Sequence, residues 1–379
     1  MAHSRGGADL AANNFQQKLI AGFRENGCEF SVISAPFIGA YPIGSDIAFF
    51  RGFSSSNTEY TYVGFNNLWG VRNLSRAASL KRAVKPFIEA DDAEKLIVVY
   101  CPHTPFLEAA VYAKQRDPRI KICLYVPDLP QFMNLNANRS RLYDFAKKYD
   151  VKAMTRLMAY VDSYILLTEP MKDALPVGNK PYRVIEGIVA DLEEPAESPE
   201  SVGAEKYIVY TGKLNERFGV KDLIDSFGLI DDPDCILVLC GIGDCDAYAA
   251  QAGKKDPRIM VLGQVPPEEA RRWQHKAAVL VNPRRGDEDF VPYSFPSKNI
   301  EYLLTGKPVV AYLLPGMPAR YADFLCLIDP DLPATEAIAN AVTQALTDES
   351  ISAGNPFVKY ARDNLNARNI ARTIIEINK

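Results

Sequence analysis

The sequence has no apolar run near the about 20 residues that a membrane-spanning helix needs. Its first residues, MAHSRGGADL, hold no hydrophobic core of a secretory signal, so the expected place of the chain is the cytoplasm. It has only 3 histidines among 379 residues, which argues against a histidine-rich metal site. The 7 cysteines are odd in number, scattered and never spaced C-x2-C. That excludes the usual zinc clusters and disulfide frameworks and suits a reducing compartment. With 43 basic and 47 acidic side chains the net charge is only −4, against the strongly basic surface of a general nucleic-acid binder.

What is present is ordinary globular composition, 47% hydrophobic and 24% charged, at a length that makes two domains. The pattern predicts a helix over Ala11 to Asn26, then a strand, Cys28 to Ser34. A doubly wound sheet normally opens on a strand, so a first strand is expected to be short or missing before Gly6. Two alternating runs within Ala48 to Val63 flank a Ser/Asn turn and read as a hairpin or edge pair. Phe65 to Phe87 reads as an amphipathic helix, with Trp69, Leu74, Leu80, Val84 and Phe87 beside Arg72, Arg76, Lys81, Arg82 and Lys85. Such a helix can lie on an anionic membrane surface, or pack on a sheet and solvate its charges. The basic stretch Arg139 to Arg156 offers the same two readings.

Three β-rich runs follow, Lys95 to Cys101, Ile120 to Val126 and Ser163 to Thr168, separated by helical segments such as Leu142 to Ala159. This is βαβ alternation, hence a parallel sheet. Ligands of such sheets gather at the strands' carboxyl ends. Two of those ends carry reactive residues, His103 and Asp128. Asp128 can accept from a sugar hydroxyl, act as a base or cap a turn.

Residues 190–205 (ADLEEPAESPESVGAE) are acidic and rich in Pro, Ser and Glu, the clearest linker in the chain. A first domain over 1–189 and a second over 206–354 follow, with 355–379 returning to complete the first. In the second half strands are expected at Lys206–Thr211, Cys235–Cys240, Arg258–Leu262, Ala278–Asn282, Pro308–Tyr312 and Leu325–Asp329. A final helix is expected from about Asn355 to Ile377.

Four loops after these strands look chemical. Gly212 to Gly219 holds Lys213 and Arg217, two cations that suit a diphosphate. Gly241 and Gly243 form a G-x-G that lacks the third glycine of the dinucleotide fingerprint, which counts against NAD. Gly263-Gln264-Val265-Pro266 offers backbone groups for a flat base. Arg284 stands in the fourth loop, ahead of Tyr293-Ser294-Phe295-Pro296-Ser297-Lys298. There Ser294 or Ser297 is expected to cap a helix from about Lys298 to Leu304 that Gly306 stops. The helix start with Lys298 suits a phosphate, and Glu301 a vicinal diol. Four such loops on one sheet point to a nucleotide–diphosphate site.

YTGKLNERFGVKDLIDSF, LCGIGD, VLGQVPPEEA and VNPR…YSFPSKNIEYLLTGKPVVAY resemble, in order and spacing, the family-four retaining glycosyltransferases of the GT-B fold, nearest to bacterial capsule and exopolysaccharide enzymes. CPHTPF, VPDLPQFM and TEPMKDAL extend the likeness into the first half. The resemblance implies two Rossmann-like α/β domains facing a cleft, with the C-terminal helix crossing back. It implies a nucleotide sugar, a UDP-sugar before a GDP-sugar, as co-substrate and no catalytic metal. Lys213 and Arg217 would neutralise the diphosphate, Ser294 to Lys298 hold the distal phosphate and sugar, and Glu301 the ribose. Asp128 joins the two cations as a catalytic candidate; Gly6, Gly7 and His103 fall on the acceptor side. The acceptor would be a saccharide, lipid-linked, and the enzyme peripheral on the inner face of the plasma membrane. Two departures stand out. Tyr293 occupies the place, eight before Glu301, where many members have glutamate; and Gly219, six beyond Lys213, leaves Arg217 as the second cation. A nucleotide-sugar 2-epimerase and a non-catalytic nucleotide-sugar-binding subunit are the alternatives.

Overall fold

Runs such as ICLYV and CILVLC are apolar at every position, as strands covered by helices on both faces must be. The computed structural model describes residues 10–55, 59–92, 94–132, 141–189, 205–348 and 356–379. The chain divides into two units, residues 1–190 with 366–379 and residues 191–365. Most of the linker segment lies outside the described residues.

In the first unit α1 (Leu10–Glu25) leads to β1 (Val32–Ser34). The short strands β2 (Phe49–Phe50), β3 (Phe53–Ser54), β4 (Tyr60–Tyr62) and β5 (Phe65–Asn66) follow, then α2 (Arg72–Ala83) and α3 (Lys85–Glu89). Strands and helices then alternate: β6 (Lys95–Tyr100), α4 (Thr104–Arg116), β7 (Ile120–Val126), α5 (Arg141–Met158), β8 (Ser163–Leu166), α6 (Met171–Ala174) and β9 (Tyr182–Val184). β6 to β9 make a parallel sheet in sequence order. β3 and β4 form a hairpin whose β4 also pairs in parallel with β1, while β2 and β5 pair antiparallel. On one face of β7, Cys123 and Tyr125 pack with Leu19 of α1 and with Ile370 and Ile374 of the last helix. Ile120, of opposite parity, packs with Val84 and Ala113. Gly22 permits the close helix crossing: a Cβ there would stand 2.1 Å from the Ala367 carbonyl oxygen.

The single helix expected over Phe65 to Phe87 is not formed. Phe65–Asn66 pairs as a strand, and the helix breaks at Val84 because Pro86 in the first turn of α3 has no N–H to continue the ladder. Its apolar residues separate too: Leu80 and Val84 are buried, whereas Trp69 and Leu74 are exposed.

The second unit contains β10 (Lys206–Thr211), α7 (Val220–Phe227), β11 (Cys235–Cys240), α8 (Asp246–Lys255), β12 (Ile259–Gly263), α9 (Pro267–Lys276), β13 (Val279–Asn282), α10 (Ser297–Leu303), β14 (Val309–Ala311), β15 (Cys326–Leu327), α11 (Ala334–Thr347) and α12 (Phe357–Asn364). The sheet is parallel throughout, in the order β12-β11-β10-β13-β14-β15. The winding reverses between β10 and β13. The crevice at their carboxyl ends is where an open α/β sheet binds its ligand.

The final helix divides at Leu365. Asn366 accepts from the Asn369 N–H at 2.8 Å and so caps a new helix, α13 (Ala367–Glu376), which lies with the first unit. No helix among the described residues is long and apolar enough to cross a membrane.

Candidate functional site

The loops at the carboxyl edge of β10, β11 and β12 are joined chiefly through backbone, with Asp244 Oδ1 accepting from the Glu216 N–H at 2.8 Å beside it. Gly212 donates to the Cys240 carbonyl at 2.9 Å, Leu214 to Ile242 at 3.1 Å and Gly241 to Gly263 at 2.7 Å. Loops this close leave no room for a Cβ. At Gly241 (φ +144) it would stand 1.7 Å from the Gly212 oxygen, and at Gly243 2.3 Å from the Leu214 oxygen. The G-x-G therefore serves first to let two loops meet. Gly219 (φ +76) does the same across the switch point, where a Cβ would lie 2.2 Å from the Pro283 oxygen after β13.

At that switch point α9 and α10 converge on Thr211, the last residue of β10. The Tyr302 hydroxyl, buried on α10, accepts from the Thr211 N–H at 2.8 Å and donates to its carbonyl at 3.0 Å. Burial, with the hydrogen bonds to Thr211 acting the other way, holds the Tyr302 phenol well above its ordinary value and so neutral. Gln274 of α9, also buried, donates through Nε2 to Thr211 Oγ1 at 2.8 Å and to Glu301 Oε1 at 2.7 Å. Lys298 pairs with Glu301 Oε2 at 2.7 Å, both half-exposed. Glu301 is thereby fixed by one protein donor on each oxygen and keeps acceptor capacity for an outside hydroxyl.

The expectation for the start of α10 needs correction. Pro296 occupies the N-cap position and no side chain caps the helix. Ser297 is already helical, and the Ser294 hydroxyl accepts from Arg284 Nη2 at 3.3 Å instead. Proline has no N–H and its fixed φ suits a helix entry, so it displaces the serines from that role. Lys298, read as the cation beside the helix start, is engaged with Glu301, which lies on the same helix face. Phe295 is buried edge-on against Tyr321 at 5.1 Å, and Tyr293 closes a single turn of 3-10 helix. Gly306 (φ +73) ends α10 as expected.

The cations outside ion pairs are elsewhere. Among the described residues the ion pairs of this edge are Lys221–Glu216, Arg285–Asp287 and Lys298–Glu301, and they include none of Lys213, Arg217 and Arg284. The Arg217 and Arg284 guanidinium groups both stand over the Phe218 ring, 4.8 and 6.0 Å from its centroid. Burial lowers the Arg284 pKa, Glu288 raises it and Arg217 lowers it further. Two like charges share one aromatic ring in a half-dry setting, an arrangement that a bound anion would relieve. Val265, half-buried after β12, stands in the loop that precedes α9.

In the first unit Asp128 is exposed just past β7. His103 holds the N-cap position of α4, with Phe37 edge-on at 4.8 Å and Phe106 at 5.4 Å. Burial, then Arg76 and Arg72, depress its pKa to about 3, so the imidazole is neutral. Gly6 and Gly7 lie outside the described residues. Among the described residues no three His, Cys, Asp or Glu side chains gather to hold a metal ion.

Sequence reading missed Thr211, Gln274 and Tyr302. The signal for Gln274 was faint, a polar residue on the inner face of the charged helix PEEARRWQHK. Tyr302 reads from sequence as plain core.

The chain covers 99% of its length against 94% of the sucrose-phosphate synthase of Thermosynechococcus elongatus, with a TM-score of 0.62 at 17% identity. HepE of Anabaena, in complex with UDP, matches 84% of this chain and 85% of its own, with a TM-score of 0.59 at 14% identity. The lipopolysaccharide outer core galactosyltransferase WaaB, in apo form, gives 0.58 at 13% identity over 85% of this chain and 84% of its own. No curated protein matches by sequence. Residues 205–348 match the family described as "Glycosyl transferases group 1". The fold is thus that of GT-B glycosyltransferases, and its second unit carries a glycosyl transferase group 1 domain.

Proposed function

We propose that the chain is a retaining glycosyltransferase that takes a sugar from a nucleotide-diphosphate sugar, first of all a UDP-sugar, with no cofactor or metal. The observation that carries this reading is the Arg217–Phe218–Arg284 cluster at the switch point of the sheet, two guanidinium groups outside the ion pairs of that edge among the described residues. Lys213 adds a third, exposed cation on the same loop as Arg217. Together they would take the charge of a leaving diphosphate, the part a metal plays in other transferases. Ser294 and the uncapped start of α10 would meet the distal phosphate, Glu301 the ribose diol, and Val265 the base. The C1–O bond to the diphosphate breaks as the acceptor hydroxyl oxygen bonds C1 on the same face. The leaving phosphate oxygen accepts the hydroxyl proton, so no protein nucleophile is needed. Asp128 and His103 are assigned to the first unit's share of the sugar and acceptor.

For the acceptor we propose a lipid-linked saccharide of surface polysaccharide assembly, capsule or exopolysaccharide, met at the inner face of the plasma membrane. Exposed Ile43 (86%), Trp69 (66%) and Leu74 (69%) support this reading. Arg82, on the same helix as Leu74, and Lys85, at the start of α3, are exposed cations. A donor-dependent transfer assay with and without magnesium tests the first reading. Lys298→Met and Glu301→Gln should lose turnover and donor binding together. The second reading fails if the protein ignores anionic liposomes and glycosylates a soluble acceptor well.

A further inference from the structure

The first unit contains a cation with no visible reason to be charged where it is. Arg76 of α2 is only 2% exposed. Its Nη2 donates to the Pro36 carbonyl at 2.7 Å, while its buried Nε has no hydrogen-bond partner. The Phe65 ring lies 4.3 Å and the Phe37 ring 5.9 Å from the guanidinium carbon. Among the described residues the charged group that acts on it is another cation, Arg72, which itself donates to the Ile38 carbonyl at 3.3 Å. A buried charge normally requires a partner of opposite sign, and two aromatic faces replace only part of that.

A second orphan faces the same cluster. His103 Nδ1 is buried without a hydrogen-bond partner, and its ring is close enough for both arginines to act on it. Phe37 touches both groups, at 4.8 Å from the His103 ring, yet is 62% exposed. Its ring thus stands against both residues that carry an unsatisfied polar atom. A neutral imidazole can donate one hydrogen bond, and the arginines can donate several.

We infer that Arg72, Arg76 and His103 form a subsite for a phosphate ester, entered by displacing the Phe37 ring. A tetrahedral anion there would accept from the orphan Nε and from the imidazole, and would supply the opposite charge beside Arg76. Within the proposed function, on which this assignment builds, the phosphate belongs to the acceptor, as a soluble glycosyl phosphate or as a lipid headgroup.

The test removes the second unit's cations first, so that donor-site binding cannot be mistaken for it. In an Arg217→Ala/Arg284→Ala background, inorganic phosphate and a glycosyl 1-phosphate are titrated calorimetrically, with the His103 ring followed by NMR. Saturable binding that moves the His103 resonances is expected. Arg72→Gln and Arg76→Met should weaken it at least about tenfold, the scale of one charge-assisted hydrogen bond. Phe37→Ala, in a side chain that is largely exposed, should leave the fold intact and strengthen or speed binding. Phosphatidic acid vesicles form the second arm. Binding to vesicles that Arg72→Gln abolishes, with none to soluble phosphates, assigns the ligand to a lipid headgroup. The subsite is overturned if neither source moves the His103 resonances, or if both arginine variants bind as the parent does. UDP binding by the unsubstituted protein is measured alongside. Its absence would count against the donor site and leave the phosphate result standing.

Discussion

In the second unit Arg217 and Arg284 share the Phe218 ring, and Phe290 also flanks Arg284; in the first, two phenylalanine rings flank the single buried Arg76. The difference lies in what surrounds the charge. Arg217 is exposed and Arg284 half-buried on loops at the mouth of a parallel sheet, where a ligand meets them without displacing protein. Arg76 is enclosed beneath α2 and holds the loop after β1 through the Pro36 carbonyl. An exposed cluster costs little when empty and reads as a binding site. A buried cluster has structural duties, so any ligand must compete with the fold. Under the proposed function the units would divide the chemistry, with open donor recognition in the second unit and a covered, neutral imidazole in the first.

The sharpest way to break the second unit's arrangement is Gly241→Ala. A Cβ 1.7 Å from the Gly212 oxygen, at a positive φ, must push apart the loops that carry Lys213 and Arg217. Destabilisation of about 3 kcal/mol or more is expected, read from urea midpoints, with UDP binding lost. Arg217→Ala with Arg284→Ala should leave the midpoint unchanged and weaken UDP by roughly 100-fold or more, from two charge-assisted contacts of about 1.5–3 kcal/mol each. Glu301→Gln keeps the shape and removes the charge. Donor binding should drop about tenfold, the worth of one hydrogen bond to a charged group, with lost pairing to Lys298 a smaller part.

Tyr302→Phe asks how far the donor edge depends on its support. It removes a donor and an acceptor from buried Thr211, and a loss of about 1–2 kcal/mol is expected. The first unit gives an effect visible only with pH. His103 stays neutral in the folded chain down to about 3, whereas an unfolded histidine takes up its proton near 6.5. Acidification below about 6.5 therefore favours the unfolded chain, and this part of the stability declines until the folded-state value is reached. His103→Gln should flatten the dependence between pH 7 and pH 5, in midpoints compared at the two values.

How much was legible follows from distance along the chain. Lys213, Arg217 and Glu301 stand in short loop–helix motifs, so local sequence carries their spacing and the parallel strands supply their common edge. The helix stop at Gly306 read correctly because only a positive φ was needed there. The Thr211–Gln274–Tyr302 network joins three elements far apart in sequence, and no local pattern encodes it. The same holds for Pro36, Phe65, Arg76 and His103, which meet only through tertiary packing. Where the reading went astray, one residue overrode the periodicity: Pro86 broke the helix expected through Phe87, Asn366 started a new one, and Pro296 took the cap expected of a serine.

The most direct test of the donor site is the melting temperature of the protein with UDP, with and without magnesium, beside the Arg217→Ala/Arg284→Ala variant. At a hundred times its dissociation constant UDP should add about 2.7 kcal/mol to the stability of the parent, metal or no metal, and nothing comparable to the variant. An equal shift in both proteins, or none in either, would contradict the assignment of that edge to a nucleotide diphosphate.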